Sequence, residues 1–105
     1  MNYSMEQYGK EVEKLVVTTH NTRLVENTLG LAGEAGEVAE KVKKLMRDSE
    51  FSKEEVVKEL GDVLFYVTAL ANHIGSNLQT VANTNIKKLH DRKDRNKIKG
   101  SGDNR

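Results

Sequence analysis

Four acidic residues are spaced for chemistry. Glu34 and Glu37 stand three apart, as do Glu59 and Asp62, and residues three apart leave a helix on one face. A polar break separates the two pairs, so helices carrying them can fold back antiparallel and bring four carboxylates to one point. Such a cluster is costly unless something positive sits among its members, and a hard divalent cation is the usual answer. The chemistry to expect is a metal-dependent reaction on a phosphate substrate.

The donor set narrows the metal. Zinc prefers Cys and His; here there is no cysteine, and His20, His73 and His90 are scattered, as ordinary surface or joint residues are. The Glu-x-x-His element of di-iron bundles is absent. All-oxygen ligation points to Mg²⁺ or Mn²⁺. A lone acidic pair at this spacing is common on solvated helix faces. Glu59 and Asp62, however, are flanked by Leu60, Val63 and Leu64, and an unpaired charge at the edge of a core is expensive. Around the first pair stand Gly30, Gly33 and Gly36, each costing about 0.8–1 kcal/mol relative to alanine inside a helix. Close helix packing and room for a ligand are compatible explanations, the second favoured.

These residues need helices to position them, and the spacing of apolar residues predicts four, an all-α fold. The first runs from Tyr3 to about Thr19 on Tyr8, Val12, Leu15 and Val16. A joint is expected at His20-Asn21-Thr22, then a second helix from about Leu24 to Arg47, with Lys41, Lys43, Lys44 and Arg47 suiting its C-terminal dipole. Ser52 with Glu55 three residues later reads as a capping box, opening a third helix from about Lys53 to His73. That helix is apolar on more than one face, as expected of one buried on most sides, and in so small a domain this implies a subunit interface as well as a core. Gly75-Ser76-Asn77 closes it and caps a fourth helix, where Asn85, Lys88 and Arg92 share one stripe with Leu89 beside it for packing. A solvated basic face is the bland reading of that stripe, and it suits Lys87, Lys93, Arg95, Lys97 and Lys99. The ordered stripe is the better candidate to face phosphates.

The 105 residues are sized for one domain, read as a helical unit over 1–93 and a basic, glycine-containing tail over 94–105. The net charge of +1 hides an asymmetry: residues 86–105 hold eight Lys/Arg against three Asp, and residues 1–85 hold nine Lys/Arg against thirteen Asp/Glu. A basic end can serve nucleic acid or clamp phosphate beside an acidic metal site. The lack of cysteine excludes disulfides and suits a reducing compartment. No apolar run approaches the roughly 20 residues of a membrane span, and the start, MNYSMEQYGKEVEK, lacks the layout of a secretion signal. A cytoplasmic protein is the expectation.

Gly30–Lys44 (GLAGEAGEVAEKVKK), Glu54–Tyr66 (EEVVKELGDVLFY) and the downstream Asn85-x-x-Lys88-Leu89-x-x-x-Arg92 together resemble the MazG-like nucleoside triphosphate pyrophosphohydrolases, from about residue 22 to the end, in the short stand-alone form often found in phages and bacteria. The resemblance implies a four-helix bundle, oligomeric through its apolar helices as a homodimer or homotetramer. It implies hydrolysis of a nucleoside triphosphate to the monophosphate and pyrophosphate. Glu34, Glu37, Glu59 and Asp62 would hold Mg²⁺, or Mn²⁺, and supply the base that takes a proton from water. Asn85, Lys88 and Arg92 would face the phosphates, with Arg105 a further candidate. One departure is Gly33, where longer relatives carry another acidic residue; Glu40 on the next turn is the candidate replacement. With no tryptophan to stack on a base, Tyr8, His20, Asn21 and Tyr66 are the candidates for that contact. Two other classes stay open: a non-catalytic nucleic-acid or protein binding module using the basic C-terminal segment, and a structural bundle or antitoxin-like partner. Nucleic acid is the weaker reading, since such a module has no need of acid pairs on apolar helices.

Overall fold

A computed structural model describes residues 2–96, 100, 102 and 103. Four helices, α1 (Met5–Leu15), α2 (His20–Asp48), α3 (Lys53–His73) and α4 (Leu78–Asp94), follow one another with no strand among the described residues. The solvated-face reading of Lys97 and Lys99 and the phosphate contact expected of Arg105 lie outside those residues.

Side-chain caps set most of the boundaries. Ser4 accepts from the Gln7 amide at 3.1 Å while Gln7 Oε1 accepts from the Ser4 amide at 2.8 Å, a reciprocal capping box that starts α1 two residues later than expected. The helix ends at Leu15, ahead of Val16-Val17-Thr18-Thr19, because a run of β-branched residues loses rotamer freedom in a helix. The expected joint at His20–Thr22 is instead the first turn of α2. These residues neither remove an amide nor favour positive φ, so nothing in them stops a helix, and Thr19 Oγ1 and Thr22 Oγ1 meet at 2.9 Å across the cap. α2 stops where Ser49 turns left-handed at φ 56°. Ser52 and Asn77 accept from the amides of Glu55 and Thr80 and open α3 and α4 where the sequence places them.

α3 is the centre. The backbone of α2 packs closely on α3 alone, while those of α1 and α4 pack on α3 and on each other; the α4 and α2 backbones do not come together. The α2–α3 pair is a long antiparallel hairpin whose register is set by close approach at Gly30, where a Cβ would overlap Cε1 and Cζ of the Tyr66 ring. A polar clasp ties α1 to this hairpin. Arg23 reaches from α2 to the Glu13 carboxylate and donates to the Ala69 carbonyl at 2.8 Å. Asn72 donates to the Gly9 carbonyl at 3.1 Å and to Glu13 at 3.2 Å.

Little of the apolar content is buried by one chain. Val12, Ala69, Ala71 and Leu78 are the buried hydrophobes, whereas Leu24, Val42 and Met46 of α2 and Val57, Leu60 and Leu64 of α3 stay exposed. The surface of 8072 Å² compares with about 5,900 Å² for an average folded monomer of this mass. The radius of gyration, 16.2 Å, compares with about 13 Å for a compact domain of this length. Within one chain part of the apolar girth of α3 therefore stays uncovered. No helix among the described residues is long and apolar enough to cross a membrane.

Candidate metal centre

Glu34 lies on the face of α2 that packs on α3, at the level where Glu59 and Asp62 stand on α3. One carboxylate oxygen from each of the three lies within 4.8 Å of the others. Glu34 and Glu59 are half-buried and Asp62 is exposed, so the cluster is walled by helices on one side and open on the other. Most acids outside it have a cationic partner, as Glu6, Glu11, Glu13, Glu40, Glu55 and Asp91 do. Among the described residues these three have no ion-pair or hydrogen-bond partner.

The electrostatics follow from that geometry. Partial burial, and then the charges of Asp62, Glu59 and Glu37, push the Glu34 carboxyl above its ordinary pKa. Like charges held together without a counter-ion behave this way. The donor set fits a hard cation: octahedral Mg²⁺ holds oxygens at about 2.0–2.1 Å, which puts ligand atoms roughly 3–4 Å apart. Oxygens that already lie within 4.8 Å of one another need at most small side-chain rotations to reach that range. The positions of Gly33, Gly36 and Gly61 open onto free space. Of the three glycines around the first acidic pair, close packing thus explains Gly30, and Gly33 and Gly36 leave room.

Not every candidate residue joins the cluster. Glu37 is exposed and outside the group of three, although its charge is felt by Glu34. Glu40 is exposed, lies outside the group of three and pairs with Lys43 at 3.8 Å. Asn85 and Lys88 line an open groove of about 280 Å³ with Ser76, Thr80, Val81 and Thr84, but α4 does not pack on α2. Lys88 and Arg92 are both bonded to Asp103, a residue that sequence reasoning missed because nothing local marks a lone aspartate in a basic tail. A roomier groove, about 620 Å³ between α1 and the α3–α4 turn, is lined by Gly9, Lys10, Glu13, Asn72 and Asn77 among others. None of the four acidic candidates lines it.

The aromatic candidates also separate. The Tyr8 phenol, half-buried on α1, is pushed above its ordinary pKa by burial and by the charge of Asp62. Tyr66 is spent on packing over Gly30 and meets Phe65 edge to face at 5.3 Å. His20 packs edge-on against His73 at 5.2 Å, and Asn21 is exposed in the first turn of α2.

Comparison with known proteins agrees with this arrangement. The family model for the MazG nucleotide pyrophosphohydrolase domain matches residues 23–96, a span that holds both acidic pairs and the α4 stripe. The chain is similar to the Gene 37 protein of Mycobacterium phage L5, with 51% identity over 83 residues, covering 74% of this chain and 73% of that protein. No solved structure matches. An all-helical chain that carries paired acids on packed helices, and matches this family over most of its length, belongs to the MazG nucleotide pyrophosphohydrolase family.

Proposed function

We propose that this chain is a Mg²⁺-dependent nucleotide pyrophosphohydrolase that converts (d)NTPs to (d)NMPs and pyrophosphate, cleansing or regulating a nucleotide pool. The observation that carries the reading is the convergence of Glu34, Glu59 and Asp62 from two helices without a counter-ion among the described residues. These three would hold the cation, Mn²⁺ being the alternative to Mg²⁺. Glu37, one turn along α2, would add a fourth oxygen or hold a water. A bound cation of this kind neutralises phosphate oxygens and acidifies water.

The remaining work falls to the chain's own residues. A carboxylate of the cluster takes the proton of the attacking water. The water oxygen bonds to phosphorus, the α–β bridging P–O bond breaks, and its electron pair leaves with the pyrophosphate. Asn85, Lys88 and Arg92 bind and orient phosphate oxygens. Since the α4 and α2 backbones do not come together within one chain, the two halves of the site would meet across α3 or across a subunit boundary.

The exposed faces support association. An excess of about 2,000 Å² over an average monomer, counted on both partners, falls in the range of about 2,000–5,000 Å² buried by obligate homodimers. A homodimer or homotetramer that covers Leu60 and its neighbours is part of the proposal.

Incubation with a panel of NTPs and dNTPs plus Mg²⁺ tests the reaction. Pyrophosphate is the expected product, and Asp62→Asn is expected to lower kcat by at least about 100-fold. Release of orthophosphate, or full activity in the Asp62→Asn and Glu59→Gln variants, would sink the proposal.

A further inference from the structure

We propose that Lys88 and Arg92 form an anion site which the chain's own Asp103 carboxylate fills, so that a phosphoryl group must displace Asp103 to bind there. This rests on the reading of the α4 stripe as phosphate-facing. It adds a competitor for that stripe that is built into the same chain.

The geometry is that of oxyanion recognition. Lys88 Nζ donates to Asp103 Oδ1 at 2.9 Å, and Arg92 Nη2 donates to the same oxygen at 3.2 Å. Arg92 Nη2 also donates to the Asp103 carbonyl at 2.8 Å and approaches the Gly102 carbonyl at 3.5 Å. Two cations thus converge on one carboxylate oxygen, an arrangement that charge-assisted hydrogen bonds favour. Their combined charge, with their hydrogen bonds first, lowers the Asp103 pKa and keeps it ionised at neutral pH.

Burial says which half of the site is replaceable. The side chain of Arg92 is 5% exposed and that of Lys88 34%, whereas that of Asp103 is 81% exposed. A buried guanidinium needs an anion or another acceptor, but an exposed carboxylate can return to water at little cost, as weak surface ion pairs do. The hydrogen bonds of Arg92 to Gly102 and Asp103 run through Nη2. A phosphoryl group carries more charge than a carboxylate and has three oxygens for these donors. Solvent reaches Lys88 through the groove it lines with Asn85, which gives a competing anion its entry. Asp103 lies 15 residues from Lys88 and 11 from Arg92 in the same chain, so its competition is intramolecular and does not depend on protein concentration.

Titration with inorganic pyrophosphate in the absence of divalent metal tests the site, read by calorimetry and by backbone amide NMR. Asp103→Asn keeps the size and the carbonyl contact while removing the charge. The variant is expected to bind pyrophosphate roughly three- to tenfold more tightly than the wild type, as for a site open about a third to a tenth of the time. The gain should vanish when Lys88→Gln is added, and in the wild type the Gly102 and Asp103 amide signals should move on titration. Equal affinities in wild type and Asp103→Asn would overturn the proposal. So would a gain that survives Lys88→Gln, or a loss of thermal stability in Asp103→Asn with no gain in anion affinity. Neither metal nor turnover enters this measurement, so a failed hydrolysis assay and a failed displacement remain separate results.

Discussion

At the scale of single residues, the cluster of Glu34, Glu59 and Asp62 stores repulsion. Its three oxygens share a space of a few ångströms with no positive neighbour among the described residues, and Glu34 registers it as a raised pKa. Removing one charge should therefore stabilise the metal-free fold. Glu34→Gln is expected to raise Tm in the presence of a chelator, and Mg²⁺ should raise the wild-type Tm more than that of the variant, because a ligand that binds the folded state stabilises it by mass action. A Glu34→Gln Tm gain that is the same with chelator and with saturating Mg²⁺ would mean that the three acids are surface charges and not ligands. The types of these residues were legible in the sequence, since i,i+3 pairs on apolar helices carry their own argument. That Glu37 stands aside was not, because spacing gives a shared face and leaves the width of that face undecided.

At the scale of elements, α1 is held to the α2–α3 hairpin by the clasp of Glu13, Arg23 and Asn72. The Arg23 hydrogen bond, aided by Asn72 and by the charges of Arg23 and His73, draws the Glu13 pKa below its ordinary value against a smaller opposing effect of burial. A folded pKa below the unfolded one contributes stability that is fully present above the unfolded value, about 4.3, and is lost as pH falls through the lower folded value. The stability difference between wild type and Glu13→Gln, from urea unfolding, should be present at pH 7 and diminish as pH falls below the unfolded value. A pH-independent difference would show that the clasp acts through shape and not charge. Helix limits were mostly readable: Ser52 and Asn77 announce α3 and α4 by side chains that cap within three residues. The clasp was not readable, because Arg23 and Ala69 are 46 residues apart and neither carries a local sign of the other.

At the scale of the whole molecule, the chain is a hairpin with two helices against its centre and apolar faces left bare. The exposed stripe of Val57, Leu60 and Leu64 repeats at helical spacing on α3, the helix that also carries two of the clustered acids. Sedimentation is expected to give a dimer or tetramer, and Leu60→Lys should return the protein to a monomer whose Tm no longer depends on concentration. A wild-type monomer at high micromolar concentration would remove the basis for a shared site. The sequence carried a hint of this in the girth of apolar residues on α3, but the exposed area is a property of the packed chain.

The sequence by itself determined four helices, the caps of α3 and α4, and the presence of paired carboxylates on two of the helices, since periodicity and capping act over a few residues and need no partner element. Tertiary structure alone decided the rest. It brought Glu34 to Glu59 and Asp62 while leaving Glu37 at the margin, kept α4 off α2, and set Asp103 against Lys88 and Arg92. Helix phase fixes which residues share a face. Which faces meet, and at what level, depends on interhelix register, here limited by the Gly30–Tyr66 contact, and contacts of that kind are made between residues far apart in the chain.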